Sequence, residues 1–255
     1  MKAQDRFSLG GQYALVIGGT SGIGKAIAAG YLDAGARVVI AGRQQDKLDQ
    51  AVADLRPHGE VSGLRADVSD MAQLRSLVAG VLAHHGRIDT LVNCQGITLI
   101  QPSEAFTPDQ WDSVMDTDLK SVFFACTEVG RHMLARGSGA IVNIASLASH
   151  RGWPGSAVYS AAKSGVFSLT QTLGAEWAAR GVRVNAISPG FVMTELNRDK
   201  MSAQRKALAL SRTPAGRFGE VDEMVGAAIY LASPAAAFVT GQSIAVDGGF
   251  LAGGM

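Results

Sequence analysis

Three polar residues, Ser146, Tyr159 and Lys163, have types and a spacing that suit proton transfer on a small molecule. Tyr159 and Lys163 are four apart at the start of a long helical pattern, so they share one helix face. An ammonium close to a phenol favours the phenolate, which makes a tyrosine useful as an acid and a base near neutral pH. By itself, a Tyr-x-x-x-Lys pair indicates helix packing more often than chemistry. Ser146 strengthens the prediction, because it follows a strand pattern and can hold a substrate oxygen.

A glycine-rich loop, Gly18-Gly19-Thr20-Ser21-Gly22-Ile23-Gly24, connects the first strand pattern to a helical pattern. Backbone amides and the positive end of the helix then face one point, which is suited to a pyrophosphate. The spacing is Gly-x3-Gly-x-Gly rather than the Gly-x-Gly-x-x-Gly of many dinucleotide-binding folds. The loop alone also fits a purely structural turn, but in this context it predicts a nucleotide cofactor.

Arg43 stands after the second strand pattern, where dinucleotide-binding folds select their cofactor. A carboxylate there accepts the ribose hydroxyls of NAD, whereas a basic residue accommodates the phosphate of NADP. The sequence reads Ala41-Gly42-Arg43, without a carboxylate, and so favours NADP. NAD stays possible, because Arg43 also fits a solvated cation or a stack on adenine. Asp67-Val68 follows the next expected strand, where Asp67 fits a contact with the adenine amino group or a helix-capping segment with Ser69.

Short apolar runs alternate with helical patterns along the whole chain, which predicts an α/β fold: a single-domain, doubly wound parallel sheet with helices on both faces. The expected strands are 13–17, 37–40, 88–92, 140–144, 183–187 and 242–246. The expected helices are 23–34, 46–55, 71–84, 159–179 and 221–231. A polar, Arg- and Lys-rich pattern over 191–215 predicts a mobile substrate lid.

Composition favours a soluble, cytoplasmic protein that acts on a small molecule. Of the 255 residues, 47% are hydrophobic and 18% are charged, and the net charge is +1. This charge is too small to create an electrostatic field that attracts nucleic acid or an anionic membrane. No apolar run is long enough for a membrane span. The two cysteines, Cys94 and Cys126, lack metal-ligand spacing, so we expect free thiols and no metal site.

Together these motifs resemble the short-chain dehydrogenase/reductase superfamily, which has a Rossmann fold, from about Ser8 to the end. The resemblance is carried by the glycine loop, Asp67-Val68, Asn93-Cys94-Gln95-Gly96, Ser146, Tyr159-Ser160-Ala161-Ala162-Lys163, Asn185-Ala186-Ile187-Ser188-Pro189-Gly190 and Val246-Asp247-Gly248-Gly249.

This resemblance implies an NAD(P)-dependent enzyme in which hydride moves between nicotinamide and a carbonyl carbon. Tyr159 would transfer the proton, Ser146 would polarise the carbonyl, and Lys163 would also bind the nicotinamide ribose. The other residues expected at the cofactor are Asn93 and Gly96, near the central sheet, and Pro189, Gly190, Val192 and Thr194, near the carboxamide. It also implies a homotetramer or homodimer, with helices around 102–135 and 157–180 at one interface.

Three positions depart from the pattern of the superfamily. Ile17 replaces a threonine that tethers the glycine loop, and Gln95 replaces a smaller residue near the cofactor. Asp118 stands where an asparagine usually supports a proton-relay water beside the lysine. Asp118 can accept the same hydrogen bond, or its charge can oppose the phenolate of Tyr159 and displace the pH optimum upward.

The substrate is expected to meet the loop between Ser146 and Tyr159, which carries His150, Arg151 and Trp153. Arg151 suits a carboxylate or phosphate and Trp153 suits an apolar or sugar face, although each also fits a rim position. Several framework stretches resemble the gluconate 5-dehydrogenase and polyol dehydrogenase branch, which implies a sugar, polyol or sugar acid. The alternatives are a 3-oxoacyl-thioester reductase and a nucleotide-binding regulator with weak catalysis.

Overall fold

The computed structural model describes residues 2–194 and 201–253, and a seven-stranded parallel sheet lies at its centre. The strands are β1 Tyr13–Ile17, β2 Arg37–Gly42, β3 Val61–Arg65, β4 Thr90–Asn93, β5 Gly139–Ile144, β6 Val182–Pro189 and β7 Ser243–Val246. Their order across the sheet is β3-β2-β1-β4-β5-β6-β7. The order in which the strands are added therefore reverses between β1 and β4, which confirms the predicted doubly wound fold. In such folds the binding crevice lies at the carboxyl ends of the two strands where the order reverses.

Eight helices of eight residues or more lie within the described chain. They are α1 Gly22–Asp33, α2 Gln45–Leu55, α3 Met71–His85, α4 Pro108–Met115, α5 Ser121–Arg136, α6 Ala157–Trp177, α7 Ala203–Ser211 and α8 Val225–Ala232. Short helices cover Ala3–Arg6 and Phe250–Gly253. No helix among the described residues is long and apolar enough to cross a membrane.

Alternate residues of β1 enter two separate hydrophobic cores, one on each face of the sheet. Leu15 and Ile17 pack with apolar residues of α3, α5 and α6. Ala14 and Val16 pack with apolar residues of α1, α2 and α8. Successive side chains of a strand point to opposite faces, so a continuous apolar run such as this one requires helices on both sides.

The structure gives bounds to one expected strand and differs from the expected elements at two places. The strand expected before Asp67 is β3, which contains Ser62 and Gly63 and has no buried residue, so no apolar run marks its bounds. The expected helix 221–231 begins as the 3-10 turn Val221–Met224 before α8. The stretch 102–135 is not one helix, because α4 and α5 are joined by a single π-helical turn, Asp116–Lys120. Such a turn adds a residue to the helical repeat without a sequence signal of its own.

A chain of buried amides connects the central sheet to α6, the helix that carries Tyr159 and Lys163. Asn93 Nδ2 on β4 donates to Asn143 Oδ1 on β5 at 2.9 Å, and Asn143 Nδ2 donates to Thr170 Oγ1 on α6 at 3.0 Å. All three residues are buried. Because an unsatisfied buried amide is costly, these bonds fix the position of α6 along the sheet.

Gly174, in the last turn of α6, is required for the close approach of the helix to the turn before β7. A Cβ at this position would lie 2.6 Å from the amide nitrogen of Gly241 and 2.8 Å from its Cα. Because the obstacle is backbone, we expect Gly174→Ala to destabilise the protein by about 1–3 kcal/mol. Thermal and urea unfolding measure the effect.

Gly80, inside α3, is the matched control. A Cβ there would meet only Leu64 Cδ1 at an ordinary 3.7 Å, so Gly80→Ala should stabilise the protein by about 0.5–1 kcal/mol through helix propensity. Equal unfolding midpoints for the two variants would contradict this account of the α6 contact.

Candidate active site

A groove of about 380 Å³ lies over the carboxyl ends of β1 and β4. Most of the residues expected at a cofactor line this groove: Gly18, Thr20, Ser21, Gly22, Ile23, Arg43, Asp67, Val68, Gly96, Tyr159, Lys163, Pro189, Gly190, Val192 and Thr194. Two expected residues lie beneath it instead. Asn93 belongs to the buried amide chain, and Gly24 packs against the carbonyl of Gly18.

The glycine loop brings two backbone segments into direct contact at the floor of the groove. Gly18 has a φ of +79°, and a Cβ there would lie 2.8 Å from the backbone of Cys94 and Gln95, after β4. Ser21 is the N-cap of α1, but its side chain makes no capping hydrogen bond. The Ser21 side chain therefore does not occupy the N-terminus of α1, which borders the groove and can bind a pyrophosphate there.

Arg43 and Asp67 line the far end of the same groove, after β2 and β3. Asp67 Oδ1 accepts hydrogen bonds from the amide and the hydroxyl of Ser69, at 3.0 and 2.7 Å. The N-cap of α3 is Asp70, whose carboxylate accepts from the Ala72 and Gln73 amides. Asp67 thus lines the groove and orders the turn before α3, and its contact with adenine stays a prediction.

Lys163 is buried below the groove, with only 5% of its side chain exposed, and is paired with Asp118, whose side chain is 0% exposed. The ammonium lies 3.5 Å from Asp118 Oδ2 and donates to the carbonyl of Ile144 at 3.1 Å. Asp118 Oδ1 accepts from the Ile97 amide at 2.8 Å. Gly96 leaves room for the pair, because a Cβ there would lie 2.9 Å from Asp118 Oδ2 and 3.4 Å from Lys163 Nζ.

Burial and the neighbouring charges act in opposite directions on the pKa values of Asp118 and Lys163. Burial raises the pKa of Asp118, although the Lys163 ammonium and the Ile97 amide act to lower it. Burial alone lowers the pKa of Lys163, but its electrostatic interaction with Asp118 and its other neighbours outweighs burial, so that its pKa is raised. Lys163 therefore stays an ammonium at neutral pH. Its Nζ lies 5.8 Å from the centre of the Tyr159 ring.

A second cavity of about 500 Å³ opens beside the groove, and Ser146 and Tyr159 line both spaces. Ser146 Oγ accepts from the Ala148 amide at 3.1 Å, which orients the hydroxyl at the start of a 3-10 turn. Thr98 also lines both spaces. A hydroxyl and a phenol thus stand where a molecule in the cavity would meet a molecule in the groove.

The structure brings two of the three residues expected at the substrate into this second cavity. Arg151 and Trp153 line it. His150 does not, because its Nε2 lies 2.9 Å from Ser188 Oγ and its ring packs on Phe167 at 4.9 Å. Burial lowers the pKa of His150, in keeping with a neutral packing residue.

Sequence reasoning missed several residues of the cavity. Arg205 and Arg212, at the two ends of α7, line it, as do Phe191 and Phe250. Arg205, Arg212 and Phe191 lie in 191–215, the stretch that was expected as a lid. The seven-residue spacing of the two arginines was the sequence signal that could have identified them. Phe250 had no signal, because only the fold brings the chain terminus to the site. Residues 195–200 of that stretch lie outside the described residues. No group of three or more possible metal ligands occurs among the described residues.

Known proteins match this chain over nearly its whole length. A family model described as enoyl-(acyl carrier protein) reductase matches residues 18–251. Gluconate 5-dehydrogenase of Gluconobacter oxydans is 41% identical over 98% of each chain. D-threitol dehydrogenase of Mycolicibacterium smegmatis is 40% identical over 96% of this chain and 94% of that protein.

The fold and the arrangement of strands match solved structures equally well. A gluconate 5-dehydrogenase from Burkholderia cenocepacia, crystallised in complex with NADP and tartrate, is 42% identical to this chain. The two superpose with a TM-score of 0.93 over 98% of this chain and 99% of that one. With these matches and the site described above, the chain belongs to the short-chain dehydrogenase/reductase family.

Proposed function

We propose that this protein is an NAD(P)-dependent oxidoreductase that interconverts a secondary alcohol and a ketone on a sugar, polyol or sugar acid. One observation carries the proposal: Ser146 and Tyr159 line both the nucleotide groove and the adjoining cavity, with the Lys163 ammonium buried below. This arrangement can hold one oxygen of a substrate while a proton moves to or from it.

In this mechanism, the three residues divide the work at one oxygen of the substrate. The Ser146 hydroxyl donates to the substrate oxygen and fixes its position. The Tyr159 phenol gives its proton to that oxygen during reduction and takes it back during oxidation. The Lys163 ammonium favours the phenolate electrostatically and would also bind the ribose hydroxyls of the cofactor. A nicotinamide held in the groove would supply or accept the hydride.

NADP is the favoured cofactor, and NAD is the alternative. Arg43 lines the groove directly after β2, and the position holds no carboxylate. A guanidinium there can bind a ribose phosphate through paired, charge-assisted hydrogen bonds. The Burkholderia relative contains NADP in its crystal structure. The groove also provides what a dinucleotide needs, namely glycines at the closest approach and a helix N-terminus that the Ser21 side chain does not cap.

The names of the relatives support a polyhydroxylated substrate, since they act on gluconate and D-threitol. A 3-oxoacyl-thioester reductase is the alternative, because it would use the same proton-transfer residues. A regulator with weak catalysis is disfavoured, because Ser146, Tyr159 and Lys163 are all present and gathered at one site.

We also propose that the protein is a cytoplasmic homotetramer or homodimer with 191–215 as the substrate lid. Exposed Trp111 on α4, with 45% of its surface accessible, supports an interface involving α4, α5 and α6. Cys94 and Cys126 are both free thiols, which suits a reducing compartment. Met201 and Arg205, from the stretch 191–215, line the cavity that such a lid would cover.

The proposed reaction is tested with a panel of gluconate, D-threitol, other polyols and acetoacetyl thioesters, read by nicotinamide absorbance. We expect turnover of a polyol or sugar acid, and a fall in kcat of about 10²- to 10⁴-fold in Tyr159→Phe because the proton donor is lost. NADP binding, measured by fluorescence, should persist in that variant. Tyr230→Phe, which changes a tyrosine packed on Phe7 outside the groove, should keep full activity. Turnover of thioesters alone would replace the proposal with its alternative.

Arg43→Gln tests the cofactor assignment. Because the variant loses a charge-assisted contact to the ribose phosphate, we expect KM for NADP to rise by about 10- to 100-fold, while KM for NAD stays nearly unchanged. Arg56→Gln, at an exposed position in the 3-10 turn Arg56–His58, serves as the matched control. An equal effect on both cofactors in Arg43→Gln would show that Arg43 does not read the phosphate.

Asp118→Asn tests the electrostatic role of the buried carboxylate. The variant keeps an acceptor for the Ile97 amide but removes a negative charge beside Lys163, so more of the ammonium's field acts on the Tyr159 phenolate. We expect the pH at which alcohol oxidation reaches half its maximum to move downward. Asp116→Asn is the control, because Asp116 is exposed and paired with Lys120 on the same π turn. Identical pH profiles in wild type and Asp118→Asn would leave Asp118 as a simple replacement for asparagine.

A further inference from the structure

The cavity beside Ser146 and Tyr159 has a positive lining. Its charged residues among the described part of the chain are Arg151, Arg205 and Arg212, and no described carboxylate lines it. Arg151 Nη2 donates to the carbonyl of Leu251 at 3.3 Å, which ties this side chain to the C-terminal helix. The guanidiniums of Arg205 and Arg212, in contrast, contact another residue of the cavity wall, Trp153.

Arg205, in the first turn of α7, and Arg212, its C-cap residue, stack on the same ring. They are seven residues apart, which is two helical turns, and their guanidinium carbons lie 5.6 and 5.7 Å from the centre of the Trp153 ring. Neither forms an ion pair with a described carboxylate. The Arg205 guanidinium also donates to the carbonyl of Pro154, at 3.5 Å. Ser202 caps the start of α7 by accepting from the Arg205 amide at 3.3 Å.

Trp153 is held in place by two further aromatic rings. Its ring centre lies 5.0 Å from that of Phe191 and 6.1 Å from that of Phe250, and the latter two rings are 5.5 Å apart. The aromatic residues come from three separate segments of the chain. They form a fixed platform on which planar guanidinium groups can stack and keep their donors directed at a ligand.

Arg205 is partly removed from water, and no carboxylate of the described residues forms an ion pair with it. Burial lowers the pKa of Arg205, but an arginine still keeps its proton at neutral pH. A half-buried cation of this kind is stabilised when an anion enters beside it. A neutral polyol and the acyl part of a thioester carry no anionic group that could take this place.

We propose that Arg205 and Arg212, stacked on Trp153, form a cationic clamp that binds the carboxylate of the substrate and selects sugar acids over neutral polyols. The clamp deepens the proposed function and rests on it: the carboxylate fixes one end of the substrate while its hydroxyl or ketone reaches Ser146 and Tyr159. The two arginines are specificity residues, and they take no part in the proton transfer.

The test compares gluconate with gluconamide, which has the same hydroxyls and a neutral end group. In the wild type, kcat/KM with NADP should be about 10-fold or more higher for gluconate, as expected for a charge-assisted contact. Arg205→Gln and Arg212→Gln should raise KM for gluconate by about 10- to 100-fold, with kcat and the KM for gluconamide little changed. Arg205→Lys should fall between, because it keeps the charge but not the planar fork. Arg180→Gln, on the exposed 3-10 turn after α6, is the matched control.

Calorimetric titration of gluconate into the NADPH-loaded enzyme makes the same comparison without turnover. Weaker gluconate binding in both Gln variants supports the clamp, whether or not a substrate of the panel is turned over. If none is turned over, the proposed reaction fails and the clamp stands. Turnover of both gluconate and gluconamide with equal losses in the variants would overturn the clamp and leave the proposed reaction standing. A wild type that binds gluconamide as well as gluconate would also overturn the clamp.

Discussion

The burial of the Lys163 ammonium is the constraint on which the active site depends. A cation removed from water needs compensating partners, and here they are the Ile144 carbonyl at the end of β5 and the Asp118 carboxylate on the π turn. Both partners must be in place before the lysine can stand below Tyr159. The π turn, the glycine at position 96 and the end of β5 are therefore parts of one electrostatic arrangement.

The sheet supplies the rigidity that this arrangement requires. Asn93 and Asn143 connect two central strands, and Thr170 connects them to α6. A helix held at its middle by buried hydrogen bonds cannot slide along the sheet without leaving polar groups unsatisfied. Tyr159 and Lys163 lie in the first two turns of that helix. Their position relative to the carboxyl ends of the strands is therefore fixed.

The two halves of the site are built in different ways. The nucleotide groove is formed by strand ends and tight glycine loops, whose positions follow from the topology of the sheet. The substrate cavity is formed by the loop after Ser146, by α7 and by the C-terminal helix, which are distant in sequence and joined by aromatic contacts. The chemistry is thus fixed by the sheet, while the choice of substrate is left to peripheral segments.

The sequence alone determined the fold class, the glycine loop and the trio of Ser146, Tyr159 and Lys163, because these depend on local patterns: apolar runs, strand-to-helix turns and helical spacing. It predicted a strand before Asp67 but not the bounds of β3, because β3 has no buried residue and lacks a continuous apolar run. It did not predict the π turn, which has no pattern of its own. The tertiary structure alone decided that His150 packs on Phe167 and that Phe250 joins Trp153 beside Arg205 and Arg212. Side-chain direction and the meeting of remote segments depend on how the whole chain packs, which no local spacing records.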